Sequence, residues 1–421
     1  MTQIDTLRAQ ASLLFDAAVK AADPAQAVRR GLASAQLPLQ NPDGRTFLIA
    51  VGKAAPAMLG EAMSAFPDAH AALAVTNHEN DARLERAEVM RAGHPVPDDA
   101  GARAAHRVMD LLSEATDKDR IIALISGGGS ALLPAPPPGV SLTDKARLNA
   151  LLLSAGLDIV QMNLVRQQVS LLKGGGFARL AAPAPVHAFI LSDVIGDDLR
   201  AIASGPTVSP IGTATDAIEM LKGAAIWDMT PASIRTHLER ARHVTALPLP
   251  EVTNTLVGSN RLSLEAMLHE AHAIGLDARI VSDALTGDVH DAAQKVIAEL
   301  SAHPKPTALL FGGETTVKIT GTGRGGRNQE LALRVAAQAP ELSEKWVFLS
   351  GGTDGRDGPT DAAGGLVDAG TLPRITAGGQ DVTALLANND SNTALAAAGD
   401  LLVTGATGTN VADVQVLLIA P

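Results

Sequence analysis

Residues 45–63 read RTFLIAVGKAAPAMLGEAM, and the fold turns on how that stretch is taken. RTFLIAVG holds an unbroken apolar run without the period-two alternation of a strand that has one wet face, so it reads as a strand covered on both sides. AAPAMLGEAM then takes up helical spacing after a Gly-Lys turn. A buried strand feeding a helix through a short turn is the unit of a parallel α/β sheet. The same unit recurs downstream: AALAVTN (71–77), AEVMRAG (87–93), IIALIS (121–126) and HAFILSD (187–193) are short apolar runs. Most of them are closed by Gly, Pro or Asp and followed by helical patterns. A parallel sheet with helices on both faces follows from this alternation.

Further along, two helices, roughly 143–155 and 158–173, interrupt the rhythm, the second stopping at Gly174-Gly175-Gly176. Residues 229–250 form a helix and a proline-punctuated link, which places a domain boundary near Pro250. A second alternating series begins with TNTLVGS and continues through a helix at 261–273, ARIVSD, a helix near 288–301, TALLFGGE and TTVKIT (315–320). It ends with a helix at 328–338, WVFLSGG, and the pair DLLVTG and VQVLLI, whose turn-rich link suits an antiparallel hairpin. Two α/β domains are expected, 1–249 and a smaller 250–421, with an active-site cleft between them.

Composition narrows the function. Apolar residues make up 46% of 421, charged residues 19%, and aromatics only 2%. Few aromatic platforms and a net charge of −11 argue against a nucleic-acid partner. The chain has no cysteine, which removes disulfides, thiolate metal sites and cysteine nucleophiles. No apolar run approaches the ~18 residues of a membrane span. The first residues form an amphipathic helix carrying Ile4, Leu7, Leu14, Phe15 and Ala18 on one side. A soluble cytoplasmic protein acting on small molecules is expected.

The candidate chemistry lies in glycine-rich turns. TGTGRGGRNQELAL (320–333) spells G-x-G-x-x-G with Gly321, Gly323 and Gly326, the fingerprint of a dinucleotide-binding loop. TTVKIT before it alternates and carries Lys318, and Trp346 stands where the ribose-binding acid is due, ~20 residues on. The stretch Gly323-Arg324-Gly325-Gly326, with Arg327 opening the next helix, then reads as a phosphate or carboxylate loop, or as a surface hairpin with solvated arginines. Lys53 emerges from the carboxyl end of a buried strand, where α/β proteins keep their sites, or else snorkels from the sheet edge. Ser126, Gly127, Gly128, Gly129 and Ser130 concentrate N–H and O–H donors for an anion. They lack the G-x-S-x-G of a serine hydrolase. Asp193 ends another strand, as a general base or a metal ligand. Asp354, Asp357 and Asp361 offer hard oxygens to Mg²⁺ or Ca²⁺, with Asx turns as the alternative. His94 sits in a proline loop, and no histidine pair has zinc spacing.

Taken in order, VGKAAPAM, AGHPVPD, SGGGSALL, NLVRQQVSLLKGGG, LSDVIGDDLRAIASGPT, GETTVKITGTGRGGRNQE, GGTDGRDGPTDAAG, NDSNTAL and TGTNVADV resemble the class II glycerate 2-kinases with a MOFRL-type C-terminal domain. The resemblance spans nearly the whole chain. It implies an N-terminal Rossmann-like domain, a smaller C-terminal α/β domain, and use of ATP and Mg²⁺ to phosphorylate D-glycerate at its 2-hydroxyl. It implies Lys53 and Arg327 as catalytic cations, Asp193 as the carboxylate near the reacting hydroxyl, and the SGGGS loop as the phosphate or substrate holder. Asn392 stands where an aromatic is expected in many relatives. An NAD(P)H-dependent hydroxypyruvate reductase and a non-catalytic sugar-acid or nucleotide sensor are the alternatives, and a homodimer stays open.

Overall fold

The computed structural model describes residues 2–38, 41–244, 248–302, 307–342 and 345–420. The chain divides into two compact units, neither continuous in sequence. One comprises Pro24–Ser192 and Asp197–Val257; the other takes the chain up to Asp23, Asp193–Gly196 and Gly258–Pro421. This partition differs from a single cut near Pro250 at both ends. Part of the proline-punctuated link, 245–247, lies outside the described residues.

The first unit is built on a six-stranded sheet: β1 (Thr46–Val51), β2 (Ala71–Asn77), β3 (Glu88–Ala92), β4 (Arg120–Ile125), β5 (Val186–Leu191) and β6 (Val252–Gly258), in the spatial order β3-β2-β1-β4-β5-β6. β3 through β5 pair in parallel, with Val51 opposite Val75 and Ile125, and Ile125 opposite Ile190. Every residue of β1 and β5 is buried, as their unbroken apolar runs require. β6, read from sequence as the opening strand of the second series, is instead the edge of this sheet. Its alternating VTNTLVG suits that half-exposed place. A helical cluster, Leu142–Ser154, Ile159–Gln168, Ala214–Gly223 and Ala232–Ala241, buries Leu148, Leu152, Val165, Ile218, Leu221 and Ile234 in a core of its own. The helix expected to run to residue 173 ends at Gln168, and residues 169–175 turn back before Gly176–Ala181.

The second unit holds a mixed sheet. Its strands are β7 (Ala278–Ser282), β9 (Thr307–Gly313), β11 (Lys345–Gly352), β12 (Gly364–Asp368), β13 (Leu401–Leu402) and β14 (Asp413–Ala420), ordered β13-β12-β11-β14-β9-β7. β8 (Gly287–Asp288) and β10 (Thr315–Thr316) make a separate two-residue pair, so TTVKIT is strand only at its start. Within the six-stranded sheet, only β7 and β9 pair in parallel among the described residues. β13 and β14 do not form the expected hairpin: β13 pairs β12, while β14 runs between β11 and β9. Side chains alternate across the sheet between two cores. Leu309, Phe311, Phe348 and Leu417 face helices Val289–Ala302 and Arg327–Gln338. Leu310, Val347, Leu349 and Val416 face helix Asn260–Ala273 and the N-terminal helix Gln3–Ala21. That N-terminal helix buries Leu7, Ala11, Leu14, Phe15 and Ala18 here, which is why the first residues of the chain belong with its last.

Candidate active site

The strand order 3-2-1-4-5-6 reverses direction between β1 and β4, and a doubly wound sheet binds its ligands outside the carboxyl ends of the strands at such a switch point. Lys53 follows β1 there, and the Ser126–Ser130 turn follows β4. The two loops are stitched together. The Lys53 N–H donates to the Gly127 carbonyl at 2.9 Å, and the Ala54 N–H donates to Ser126 Oγ at 3.2 Å. Ser126 is buried by this tie, so it shapes the turn and is not presented to a ligand. Gly128 adopts φ 86°, and a Cβ there would lie 3.2 Å from both Lys53 Cγ and His94 Cδ2, so the exposed Lys53 and the half-buried His94 flank the turn. Burial, and after it the charge of Lys53, lowers the pKa of His94. Gly129 opens a four-residue helix packed on Ala203 and Val51.

Ser130 leads to residues that sequence reading did not single out. Its Oγ and carbonyl accept hydrogen bonds from Lys173 Nζ at 2.8 and 2.6 Å, and its Oγ lies 2.8 Å from Ser204 Oγ. Ser204 in turn donates to Asn163 Oδ1 at 2.9 Å. An amide oxygen only accepts, so the chain has one direction: Lys173 donates to Ser130, Ser130 to Ser204, and Ser204 to Asn163. Ser130 is therefore a positioned donor and not an activated nucleophile. Between this turn and the helices Leu142–Ser154 and Ile159–Gln168 lies a cavity of about 320 Å³, lined on its polar side by His94, Ser130, Lys145, Asn149, Arg166 and Lys173. Lys145 and Lys173 are buried. Burial, reinforced by Arg166, pushes Lys145 down to about 7; burial, then Lys145 and Arg166, lowers Lys173 well below its ordinary value. Burial also lowers Arg166.

Asp193 lies two residues beyond the end of β5 and is partly exposed; it belongs to the second unit.

In the second unit the glycine turn is explained by packing. Asn389 Oδ1 accepts from the N–H groups of Thr320 and Gly321. Asn388 Oδ1 accepts from Thr322, the Asn388 carbonyl from Gly323, and Asp390 Oδ1 from Arg324. A Cβ on Gly323 would come within 2.4 Å of Asp390, on Gly325 within 2.2 Å of Ser391 Oγ, and on Gly326 within 2.3 Å of Asp357. The glycines thus let one loop lie against another, and of the amides expected to grip a phosphate those of Gly323 and Arg324 are already engaged. The same engagement removes the dinucleotide reading. Asn392 adds to the lock, donating to Gln329 Oε1 at 2.8 Å. Arg324 remains largely exposed, with one N–H on the Pro359 carbonyl.

Arg327, first residue of its helix, donates Nε and Nη2 to the two oxygens of Asp413 at 2.6 and 3.0 Å and Nη1 to Glu314 at 2.8 Å. Asp413 is fully buried, while a third of the Arg327 side chain stays open to solvent. Burial opposes the guanidinium charge, but Asp413 and Glu314 outweigh it and raise the pKa.

The aspartates 354, 357 and 361 do not converge as a metal site, and among the described residues no three His, Asp or Glu side chains stand together in a way that could hold an ion. Asp357 is buried and accepts from the backbone N–H groups of Asn328 and Gln329 at 3.1 and 2.8 Å, capping the helix Arg327–Gln338. Asp354 accepts from the Arg356 N–H in an Asx turn, and Asp361 is exposed.

A doubly wound α/β unit with cations at its switch point, joined in one chain to a mixed-sheet unit that fixes an arginine, defines an anion-handling α/β protein of two units. The family model described as domain of unknown function DUF4147 matches residues 10–239, and that of the MOFRL family matches 307–413. A glycerate 2-kinase of Pyrococcus horikoshii is 38% identical, with 96% of both chains covered. A protein of Agrobacterium vitis named putative hydroxypyruvate reductase is 39% identical over 96% of this chain and 93% of its own. The crystal structure of a glycerate kinase from Thermotoga maritima covers 99% of this chain and all of its own at 36% identity, with a TM-score of 0.92. The chain belongs to the glycerate 2-kinase family that carries a MOFRL domain. Among the described residues no helix is long and apolar enough to cross a membrane.

Proposed function

We propose that the protein transfers the γ-phosphoryl group of ATP to the 2-hydroxyl of D-glycerate, giving 2-phosphoglycerate and ADP. The observation that carries this reading is the stitched pair of loops at the β1/β4 switch point, which sets Lys53 beside a donor-rich turn and a cationic cavity. In this reaction the hydroxyl oxygen bonds to the γ-phosphorus, the bond from that phosphorus to the β–γ bridging oxygen breaks, and the hydroxyl proton leaves. Such a transfer depends on positioning and charge neutralisation rather than covalent help. Lys53 is the cation assigned to the transferring group, Asp193 the carboxylate that orients the hydroxyl and accepts its proton, and Arg327 the second cation. Arg324, with what the glycine turn leaves unengaged, is the further candidate for phosphate contact. Among the described residues no cluster fits a resident Mg²⁺, so the ion is expected to arrive with the nucleotide, held mainly by phosphate oxygens and water. A cytoplasmic location fits this chemistry.

The test couples purified protein, D-glycerate and Mg-ATP to enolase, which reads 2-phosphoglycerate directly. Lys53→Ala is expected to lower kcat by about 100-fold or more, the scale set by loss of one charge-stabilising donor. NADH oxidation with hydroxypyruvate, and silence in the enolase assay, would overturn the proposal in favour of the reductase.

A further inference from the structure

The cavity between the Ser130 turn and the two helices has an unusual charge balance. Lys145, Arg166 and Lys173 all line it, two of them buried, and no carboxylate among the described residues lines it with them. Nor does any acidic side chain figure among the influences on their acidity; what each lysine feels beyond burial is more positive charge. Burying like charges together without a counter-ion is costly, which is why the pKa of all three is lowered; an anion entering the cavity supplies the missing charge and favours the protonated lysines.

The hydrogen-bond inventory gives the same answer from geometry. Lys145 Nζ has three donors and spends one, on the Val169 carbonyl at 2.7 Å. Lys173 spends two, both on Ser130. Arg166 gives Nη2 to Asn149 Oδ1, which fixes its plane and leaves its other donors without a partner among the described residues. Unspent donors from three separate stretches of chain thus border one space. The walls beside them are apolar: Pro95, Pro97, Leu148, Leu153 and Val169. A short carbon chain bearing an acid group matches that lining.

We infer that this cavity binds the carboxylate of the hydroxy-acid acceptor, with Lys145, Arg166 and Lys173 as its anion contacts. The inference rests on the kinase reading for the identity of the acid, but not for the existence of the site. It also orders the substrate. Gly128 lines the cavity, and a Cβ on it would lie 3.2 Å from Lys53 Cγ, so the cavity borders the Lys53 stem, and the 2-hydroxyl, on the carbon next to the acid group, is the hydroxyl held nearest the bound carboxylate. The selectivity that follows is for small 2-hydroxy carboxylates over polyols without an acid.

Calorimetric titration of D-glycerate into the nucleotide-free protein tests this directly. Lys145→Met and Arg166→Met are each expected to weaken binding at least 30-fold. They are also expected to raise KM for D-glycerate in parallel while KM for ATP moves less than threefold. Glycerol is expected to give no binding. Lys145→Met removes a buried charge at similar length and is expected to melt no lower than wild type, so a folded variant is available even if Arg166→Met is unstable. If the variants leave glycerate binding intact, or raise KM for ATP instead, the assignment is wrong. Inorganic phosphate binding here in competition with ATP would also overturn it, since the cavity would then belong to the donor. Wild-type binding of small hydroxy acids, lost in Lys145→Met but with no 2-phosphoglycerate formed, would keep the site and sink only the kinase reading.

Discussion

Asp413 opens β14, 86 residues from Arg327, and nothing in VADV distinguishes it from a solvated turn residue. Its bidentate grip fixes the guanidinium in one plane, so Asp413 is a positioning residue for the proposed cation. Asp413→Asn keeps the shape and removes one acceptor. The expected result is a fall in kcat of about 100-fold with KM for D-glycerate unchanged, the size of effect that a small misplacement of a reacting group produces. A drop confined to melting temperature would assign Asp413 to stability alone. The same contrast explains what was legible residue by residue. Lys53 and the SGGGS turn announce themselves because a glycine-flanked cation or donor run at a strand end is a local signal. Lys145 and Arg166 lie inside amphipathic helices, where a charge ordinarily marks the solvent face, and only tertiary packing turns them inward.

Among the elements, the helix Arg327–Gln338 shows how a motif is misread. Its start looked like an anion site because glycines and arginines precede it, yet Asp357 already supplies the anion. That carboxylate also receives the Gln329 side chain at 3.0 Å and the Asn328 side chain at 3.5 Å, so one buried carboxylate anchors four donors. Asp357→Ala is expected to cost about 2–3 kcal/mol in urea unfolding, more than an exposed cap because the donors left behind are buried. A loss below about 0.5 kcal/mol would mean that water replaces the cap. Chain partners separated by 28 or 29 residues in sequence leave no periodicity to read, so the capping role of Asp357 has no local signal.

At the scale of the molecule, strand runs were the most readable feature. β1, β2, β4 and β5 fall within a residue or two of the sequence expectation because strands buried on both faces are uniformly apolar. Pairing was not readable: β6 and β14 join partners chosen by the sheet as a whole. Nor was the placement of the first helix, whose apolar stripe says that it packs but not on what. Phe15→Ala is expected to destabilise the mixed-sheet unit by about 3–5 kcal/mol, and hydrogen exchange should show the loss in β11 and β14 before β1 or β4. Equal loosening of both sheets would contradict the division into units. The placement of that helix also sets a schedule for synthesis. At about 5–20 residues per second, the interval between making Phe15 and making Val416 is roughly 20–80 seconds. During that time the helix has an oily face and no sheet to cover, while the switch-point unit can complete itself. The nascent chain therefore carries an exposed apolar segment well before the strands that cover it are made, which makes residues 3–21 the stretch where a chaperone would be expected to hold on.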